Sequence, residues 1–234
     1  DVADAAGVEA EQRVLEIGPG LGVLTEDLLA RGARVTAVEK DSRLASRLAG
    51  ALGAPAGLRV IEADALELDL DALLAERFDA CVSNLPYSVG TRILIDLALH
   101  ALAPRRFTVL VQAEVAARFA AAPGCEARGQ AGVWLQLDYD VALVRAVKAS
   151  CFWPRPEVGS AIVRLDRRVS RLSPSERQTF FDLTRYAFMH RRKQFGAALR
   201  KAPAPLGRDD ATLAALFAAA GIEPAARAEQ LTNG

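Results

Sequence analysis

Along the first two-thirds of the chain, short runs of apolar and β-branched positions alternate with stretches whose apolar residues recur at helical spacing. Arg13 to Ile17, Arg34 to Glu39, Leu58 to Glu62, Phe78 to Ser83 and Phe107 to Gln112 read as strands. Between them, Gly22 to Ala30, Ser42 to Leu52, Leu70 to Glu76 and Thr91 to His100 carry the helical period, and a further helix, Ala113 to Ala122, stops at Pro123-Gly124. Gly132 to Leu137 reads as one more helix, and Tyr139 to Lys148 with Val158 to Leu165 as a closing strand pair. The alternation predicts an α/β fold with seven strands, mostly parallel, flanked by helices. Beyond Arg168 only the helical pattern remains. It opens on Ser173-Pro174-Ser175-Glu176, with Ser173 at the cap and Glu176 three residues on. A domain boundary is expected near Arg168 to Ser170, dividing the chain into 1–168 and a small helical domain, 169–234.

At 234 residues and 51% hydrophobic content, the chain has the apolar side chains for a sizeable core. No apolar run approaches the roughly 18 residues of a membrane span, and no basic start leads into an apolar stretch, so a cytoplasmic protein is expected. Three cysteines, Cys81, Cys125 and Cys151, are odd in number and far apart, which makes neither a disulfide framework nor a zinc motif. All three are expected to be reduced and buried.

The formal net charge of zero hides an asymmetry. Residues 145–208 hold 15 Lys/Arg against 4 Asp/Glu, and the remainder holds 14 against 25. Phosphate backbones reward clustered cations through counterion release, so the basic stretch is a candidate for binding nucleic acid.

Glu16-Ile17-Gly18-Pro19-Gly20-Leu21-Gly22 falls where a strand gives way to a helix, the place at which α/β sheets bind ligands. Glycines there admit dihedrals closed to other residues and let a ligand approach the backbone. Glu39, 19 residues beyond Gly20, ends the second strand, where an acid can accept hydrogen bonds from ribose hydroxyls. Asp64 ends the third strand and is placed for an adenine amine. A dinucleotide site needs Gly-x-Gly-x-x-Gly, but position 23 is valine. The Gly18, Gly20, Gly22 run instead resembles the first motif of class I methyltransferases, which points to S-adenosylmethionine.

Asn84-Leu85-Pro86-Tyr87 follows the fourth strand and resembles the (Asn/Asp)-(Pro/Leu/Ile)-Pro-(Tyr/Phe) motif of amino-methyltransferases. The lone pair of adenine's exocyclic nitrogen is delocalised into the ring and must localise before the nitrogen attacks a methyl group. The Asn84 side-chain oxygen and the Leu85 carbonyl are suited to accept the two amine hydrogens, favouring a pyramidal nitrogen. Pro86 stiffens the turn and Tyr87 is placed to stack on a flipped base. Cys151-Phe152-Trp153-Pro154-Arg155-Pro156 lies between the last two predicted strands. Its prolines hold it extended, so that Phe152 or Trp153 can cover the other face of the base.

On these motifs the chain resembles the ribosomal RNA adenine dimethyltransferase family, in particular its bacterial kasugamycin-sensitivity (KsgA) type. The likeness extends through Val111-Gln112-Ala113-Glu114-Val115-Ala116, Glu157-Val158-Gly159-Ser160-Ala161, His190-Arg191-Arg192-Lys193-Gln194, Gly221-Ile222-Glu223-Pro224 and Arg227-Ala228-Glu229-Gln230-Leu231. It implies a class I, Rossmann-like methyltransferase domain followed by a small helical domain. The implied activity is dimethylation of two adjacent adenosines in the 3′-terminal hairpin of 16S ribosomal RNA, in the small subunit or its precursor, by a monomer that needs no metal or membrane. By resemblance, Gly18, Gly20, Glu39, Lys40, Asp64, Ala65 and Asn84 would hold S-adenosylmethionine. Asn84, Leu85, Pro86, Tyr87 and Phe152 would form the reaction site, and Arg155, Arg191, Arg192 and Lys193 would meet RNA. If Arg191, Arg192 and Lys193 continue the preceding helix, they fan over roughly 200° and cannot share one face. His190 is expected to be a surface residue rather than a ligand.

Members of the family usually carry Gly-Gln-(His/Asn)-Phe-Leu ahead of the first strand, and this chain begins beyond it. Its cofactor contacts are therefore expected to be fewer. Arg155 stands where this type often has proline, and Gly159 where aspartate is usual. Arg155 is shared with the related large-subunit enzymes of macrolide resistance, which form one alternative reading. A non-catalytic RNA-binding assembly factor is the other, and the intact Asn84 tetrad argues against it.

Overall fold

A computed structural model describes residues 2–153, 155–168, 172–223 and 225–233. Seven strands, β1 (Arg13–Ile17), β2 (Arg34–Glu39), β3 (Leu58–Glu62), β4 (Ala80–Asn84), β5 (Arg106–Gln112), β6 (Tyr139–Val147) and β7 (Ser160–Arg167), form one sheet in the order β3-β2-β1-β4-β5-β7-β6. The first five are mutually parallel, and β7 runs antiparallel between β5 and β6. This is the α/β, mostly parallel seven-stranded sheet expected from the alternation. Strands β1 and β2 are buried at every position after the first, as a sheet covered on both faces requires.

The helices are α1 (Val2–Ala6), α2 (Val23–Ala30), α3 (Ser42–Ala51), α4 (Leu70–Leu74), α5 (Gly90–Ala98), α6 (Ala113–Ala120), α7 (Gln130–Asp138), α8 (Pro174–Met189), α9 (Phe195–Leu199) and α10 (Asp210–Ala220). The short α1 was not legible as a helix, yet Ala3 and Ala6 join Val14, Leu28, Val35, Leu48 and Val82 in one buried cluster. A 3-10 turn, Ala149–Cys151, leads into the loop before β7, which is extended at Phe152.

The chain packs as two units. One is Asp1–Ala117 with Asp138–Arg168, and the other is Arg118–Leu137 with Val169–Gly234. The anticipated boundary, Arg168 to Ser170, falls partly on residues outside those described, and residues 118–137 pack with the later helices. In this second unit Phe195, Leu199, Leu213 and Phe217 form the core. The Trp134 ring meets Phe181 edge-on at 5.2 Å, and its indole N–H donates to Thr184 Oγ1 at 2.8 Å. Arg128, 1% exposed, donates to the Ala121 carbonyl, Gln136 Oε1 and Asn233 Oδ1 at 2.7–2.9 Å. A buried guanidinium so engaged ties residues 118–137 to the C-terminal segment. Ser173 and Glu176 form the expected capping box at the start of α8.

The cysteines depart from expectation. Cys81 is buried, and burial pushes its thiol up to about 12, but Cys125 and Cys151 are exposed. Both lie outside the helices and strands that build the cores, Cys125 beyond Pro123-Gly124 and Cys151 in the 3-10 turn. Among the described residues no helix is long and apolar enough to cross a membrane.

Candidate active site

The strand order reverses between β1 and β4, and crevices at the carboxyl ends of such strands are where open α/β sheets take ligands. The glycine turn leaves β1 at this point and the Asn84 tetrad leaves β4 beside it. Gly18 N donates to the Val38 carbonyl at 2.9 Å, and Gly18, Gly20 and Gly22 have φ of 70°, 58° and 85°, the left-handed region that favours glycine. A Cβ on Gly22 would lie 2.6 Å from Leu48 Cδ1, so this glycine serves the packing of α2 on α3. A Cβ on Gly20 would meet nothing within 4 Å, which leaves the space beside its Cα open to a ligand. One on Gly18 would sit 3.7 Å from the Pro86 ring and 4.0 Å from the Asn84 carbonyl. The two motifs therefore lie side by side, with room for little more than a methyl group between Gly18 and Pro86.

Glu39 ends β2 and is buried, with Oε2 accepting from Gly20 N at 3.1 Å and Oε1 from Asp41 N at 2.9 Å. Asp64 lies two residues beyond the end of β3 rather than at it, because the chain turns through an Asp64 side chain that accepts from Leu66 N at 2.9 Å. Ala65 is half-buried in that turn. Lys40 Nζ donates to Asp64 Oδ2 at 2.5 Å and holds the Asp64 carboxyl below the usual range, with the Leu66 N–H adding to the effect. Glu16, in β1, opens the glycine motif but has no role that the sequence pattern announces. It is 1% exposed and accepts from Thr25 Oγ1 at 2.7 Å, and burial pushes its carboxyl up to about 7.

Asn84, Leu85, Pro86 and Tyr87 line one cavity of about 260 Å³ with Phe152, Trp153 and Pro156. Every residue expected at the reaction site is thus brought together, across 68 positions of sequence between Asn84 and Phe152. Asn84 is exposed at the end of β4, and its side chain makes no hydrogen bond among the described residues. Tyr87 Oη lies 2.5 Å from Ser160 Oγ, and Ser160 is buried in the ladder opposite Gln112 of β5 and Val147 of β6. The tyrosine is thus anchored by its hydroxyl, a contact no local pattern announces. Pro154, one of the two prolines expected to stiffen the loop, lies outside the described residues.

The basic stretch is shared between the two units, with Arg155 in the first and Arg191, Arg192 and Lys193 in the second. The latter three do not lie on a helix, because α8 ends at Met189 and His190 leaves helical geometry at φ −110°, ψ 28°. Lys193 N closes the turn by donating to the His190 carbonyl at 2.8 Å. His190 packs against Tyr186, with ring centroids 4.3 Å apart and the planes tilted by 34°. Arg192 and Lys193 are exposed, whereas Arg191 is half-buried, pairs with Glu229 at 3.7 Å and donates to the Glu126 carbonyl.

The family model "Ribosomal RNA adenine dimethylase" matches residues 1–232. A ribosomal RNA small subunit methyltransferase A of Phenylobacterium zucineum is 42% identical over 97% of this chain and 77% of its own length. The protein of that name from Geobacillus thermodenitrificans is 37% identical over 98% and 80%. Among solved structures, a dimethyladenosine transferase from Plasmodium falciparum superposes with a TM-score of 0.79 at 24% identity, over 99% of this chain and 90% of that one. The 23S rRNA methyltransferase ErmE superposes with a TM-score of 0.71 at 28% identity, over 99% and 91%.

Proposed function

Because the chain belongs to the ribosomal RNA adenine dimethylase family, we propose that it dimethylates two adjacent adenosines in the 3′-terminal hairpin of small-subunit ribosomal RNA. The observation that carries this reading is the single cavity shared by Asn84, Leu85, Pro86, Tyr87 and Phe152 beside the glycine turn.

The residues present fit S-adenosylmethionine. The space beside Gly20 Cα is open, and each Glu39 oxygen spends one lone pair on a backbone N–H, that of Gly20 included, leaving acceptor capacity for ribose hydroxyls. Asp64, kept ionised by Lys40, is an acceptor for an adenine amine. When bound, the cofactor supplies an electrophilic methyl group. The chain's own work is to present the nucleophile: Asn84 Oδ1 and the Leu85 carbonyl accept the amine hydrogens while Tyr87 and Phe152 hold the ring. No strong base is needed, since the amine becomes acidic once alkylated.

Incubation with tritiated S-adenosylmethionine and unmethylated small subunits tests the proposal. Label in two adjacent adenosines of the 16S hairpin is expected. Label in large-subunit RNA instead would support the macrolide-resistance reading, for which the likeness to ErmE speaks.

Glu39→Ala is expected to weaken cofactor binding by about 1.5–3 kcal/mol, the range for hydrogen bonds to a charged group. Calorimetry measures it, and an unchanged Kd would place the ribose elsewhere.

For RNA, the exposed Arg192 and Lys193 are the cations to neutralise, since Arg191 is engaged within its own unit. Replacing both by glutamine should weaken binding to small subunits and flatten its log–log salt dependence by about 0.7–0.9 for each phosphate that is no longer neutralised. Cofactor affinity should stay the same. An unaltered salt slope would make the pair a solvated surface.

A further inference from the structure

Trp153 is 97% exposed, the most exposed large apolar side chain among the described residues. A lone surface hydrophobe is ordinary. This one lines the same cavity as Asn84, Tyr87 and Phe152, so its exposed indole stands at the mouth of the reaction site.

Phe152 and Trp153 are consecutive, and Phe152 is extended at φ −120°, ψ 151°. Successive side chains of an extended segment project to opposite sides. The half-buried Phe152 and the exposed Trp153 therefore cannot close on one face of a single base. Phe152 serves the cavity, and the indole beyond it needs a different ring. The occupant must be planar, must come within reach of the cavity mouth, and must carry phosphate, since the exposed Lys148 and Arg155 outnumber Glu157 on the same loop. An unpaired nucleotide next to the one being methylated meets all three conditions.

We propose that the Trp153 indole is the stacking platform for the RNA base adjacent to the target adenine. The inference rests on the adenine-methyltransferase reading above and adds a second base site to it. Such a platform holds the neighbouring nucleotide splayed while the target is in the cavity, and it favours substrates whose target lies in an unpaired run.

The test is tryptophan emission together with methyl transfer on one preparation of the whole chain. Subtracting the spectrum of W153F from that of wild type isolates Trp153 from the other tryptophan, Trp134. The probe is an RNA hairpin with two adjacent unpaired adenosines in its loop, alongside copies made abasic at the target or at its neighbour. Quenching of Trp153 is expected with the intact hairpin and with the abasic target, and is expected to vanish with the abasic neighbour. W153A should lower kcat/KM for RNA roughly 5- to 150-fold, the worth of one stacked base, with cofactor affinity unchanged and W153F recovering most of the rate. Quenching that follows the target base, no quenching at all, or W153A at wild-type kcat/KM would each overturn the platform. Methyl transfer by wild type with a silent Trp153 would defeat this inference alone, whereas absence of transfer by wild type to unmethylated small subunits would remove the reading beneath it.

Discussion

Asn84→Ala is expected to cut methyl transfer by about 10²-fold or more while RNA affinity stays within a few fold. In the ground state adenine's amine is flat and its lone pair belongs to the ring, so an acceptor on one amine hydrogen gains little there. As the nitrogen pyramidalises and becomes positive, the same hydrogen turns acidic and the hydrogen bond to Asn84 Oδ1 strengthens. An interaction realised mainly in the transition state raises kcat and is largely absent from binding. The site suits the experiment, because Asn84 is exposed at the end of β4 and its side chain has no partner among the described residues. Truncation therefore leaves no buried group unsatisfied and should spare the fold. Asn84→Asp retains acceptor oxygens and should recover part of the rate. Single-turnover assays with small subunits separate the chemical step from binding. Wild-type turnover in Asn84→Ala would mean that the nitrogen is activated elsewhere.

Strands β1 and β2 were legible because a strand covered on both faces needs a largely apolar run, whereas the edge strand β3, with no buried position, was legible from its β-branched residues between turn signals; all three fall at the expected residues. The reaction site was legible for a different reason. Asn84-Leu85-Pro86-Tyr87 and Phe152 are residue types that adenine chemistry demands, and the sheet order then brings them to one edge. What escaped is what depends on neighbours remote in sequence. Tyr87 and Ser160 are 73 positions apart, and nothing near either predicts their hydrogen bond. Residues 118–137 carry a helical pattern that fits either unit, and the network around the buried Arg128 settles where they pack. Arg191 looks like its two neighbours in sequence, but the Glu126 carbonyl and Glu229 engage it. The role of Glu16 was hidden in a strand whose other buried members are apolar.

Glu16 supports the second large effect, a pH-dependent stability that Glu16→Gln should remove. Burial raises its carboxyl from an ordinary 4.5 to about 7, the nearby Glu39 charge acts in the same direction, and the hydrogen bond from Thr25 opposes them. The neighbouring Cys81 thiol is itself raised to about 12 and stays neutral throughout this range. Since the folded-state pKa lies above the unfolded one, between about pH 4.5 and 7 the folded protein holds a proton that the unfolded chain has released. The stabilisation from this group is fully present below the unfolded pKa and is lost as pH rises through the folded value. At about 1.4 kcal/mol per pH unit, the interval amounts to up to about 3 kcal/mol. Glutamine keeps an acceptor for Thr25 and carries no charge to desolvate. Relative to wild type, the stability of Glu16→Gln should therefore climb by that amount between about pH 4.5 and 7.5 and level off beyond. Denaturant unfolding of both proteins across this range measures the difference, in which other titrating groups cancel, and a carbon-NMR titration of the Glu16 carboxyl should show a midpoint near 7. Parallel stability profiles, or a midpoint in the ordinary carboxylate range, would show that the buried group is ionised at neutral pH and solvated in some other way.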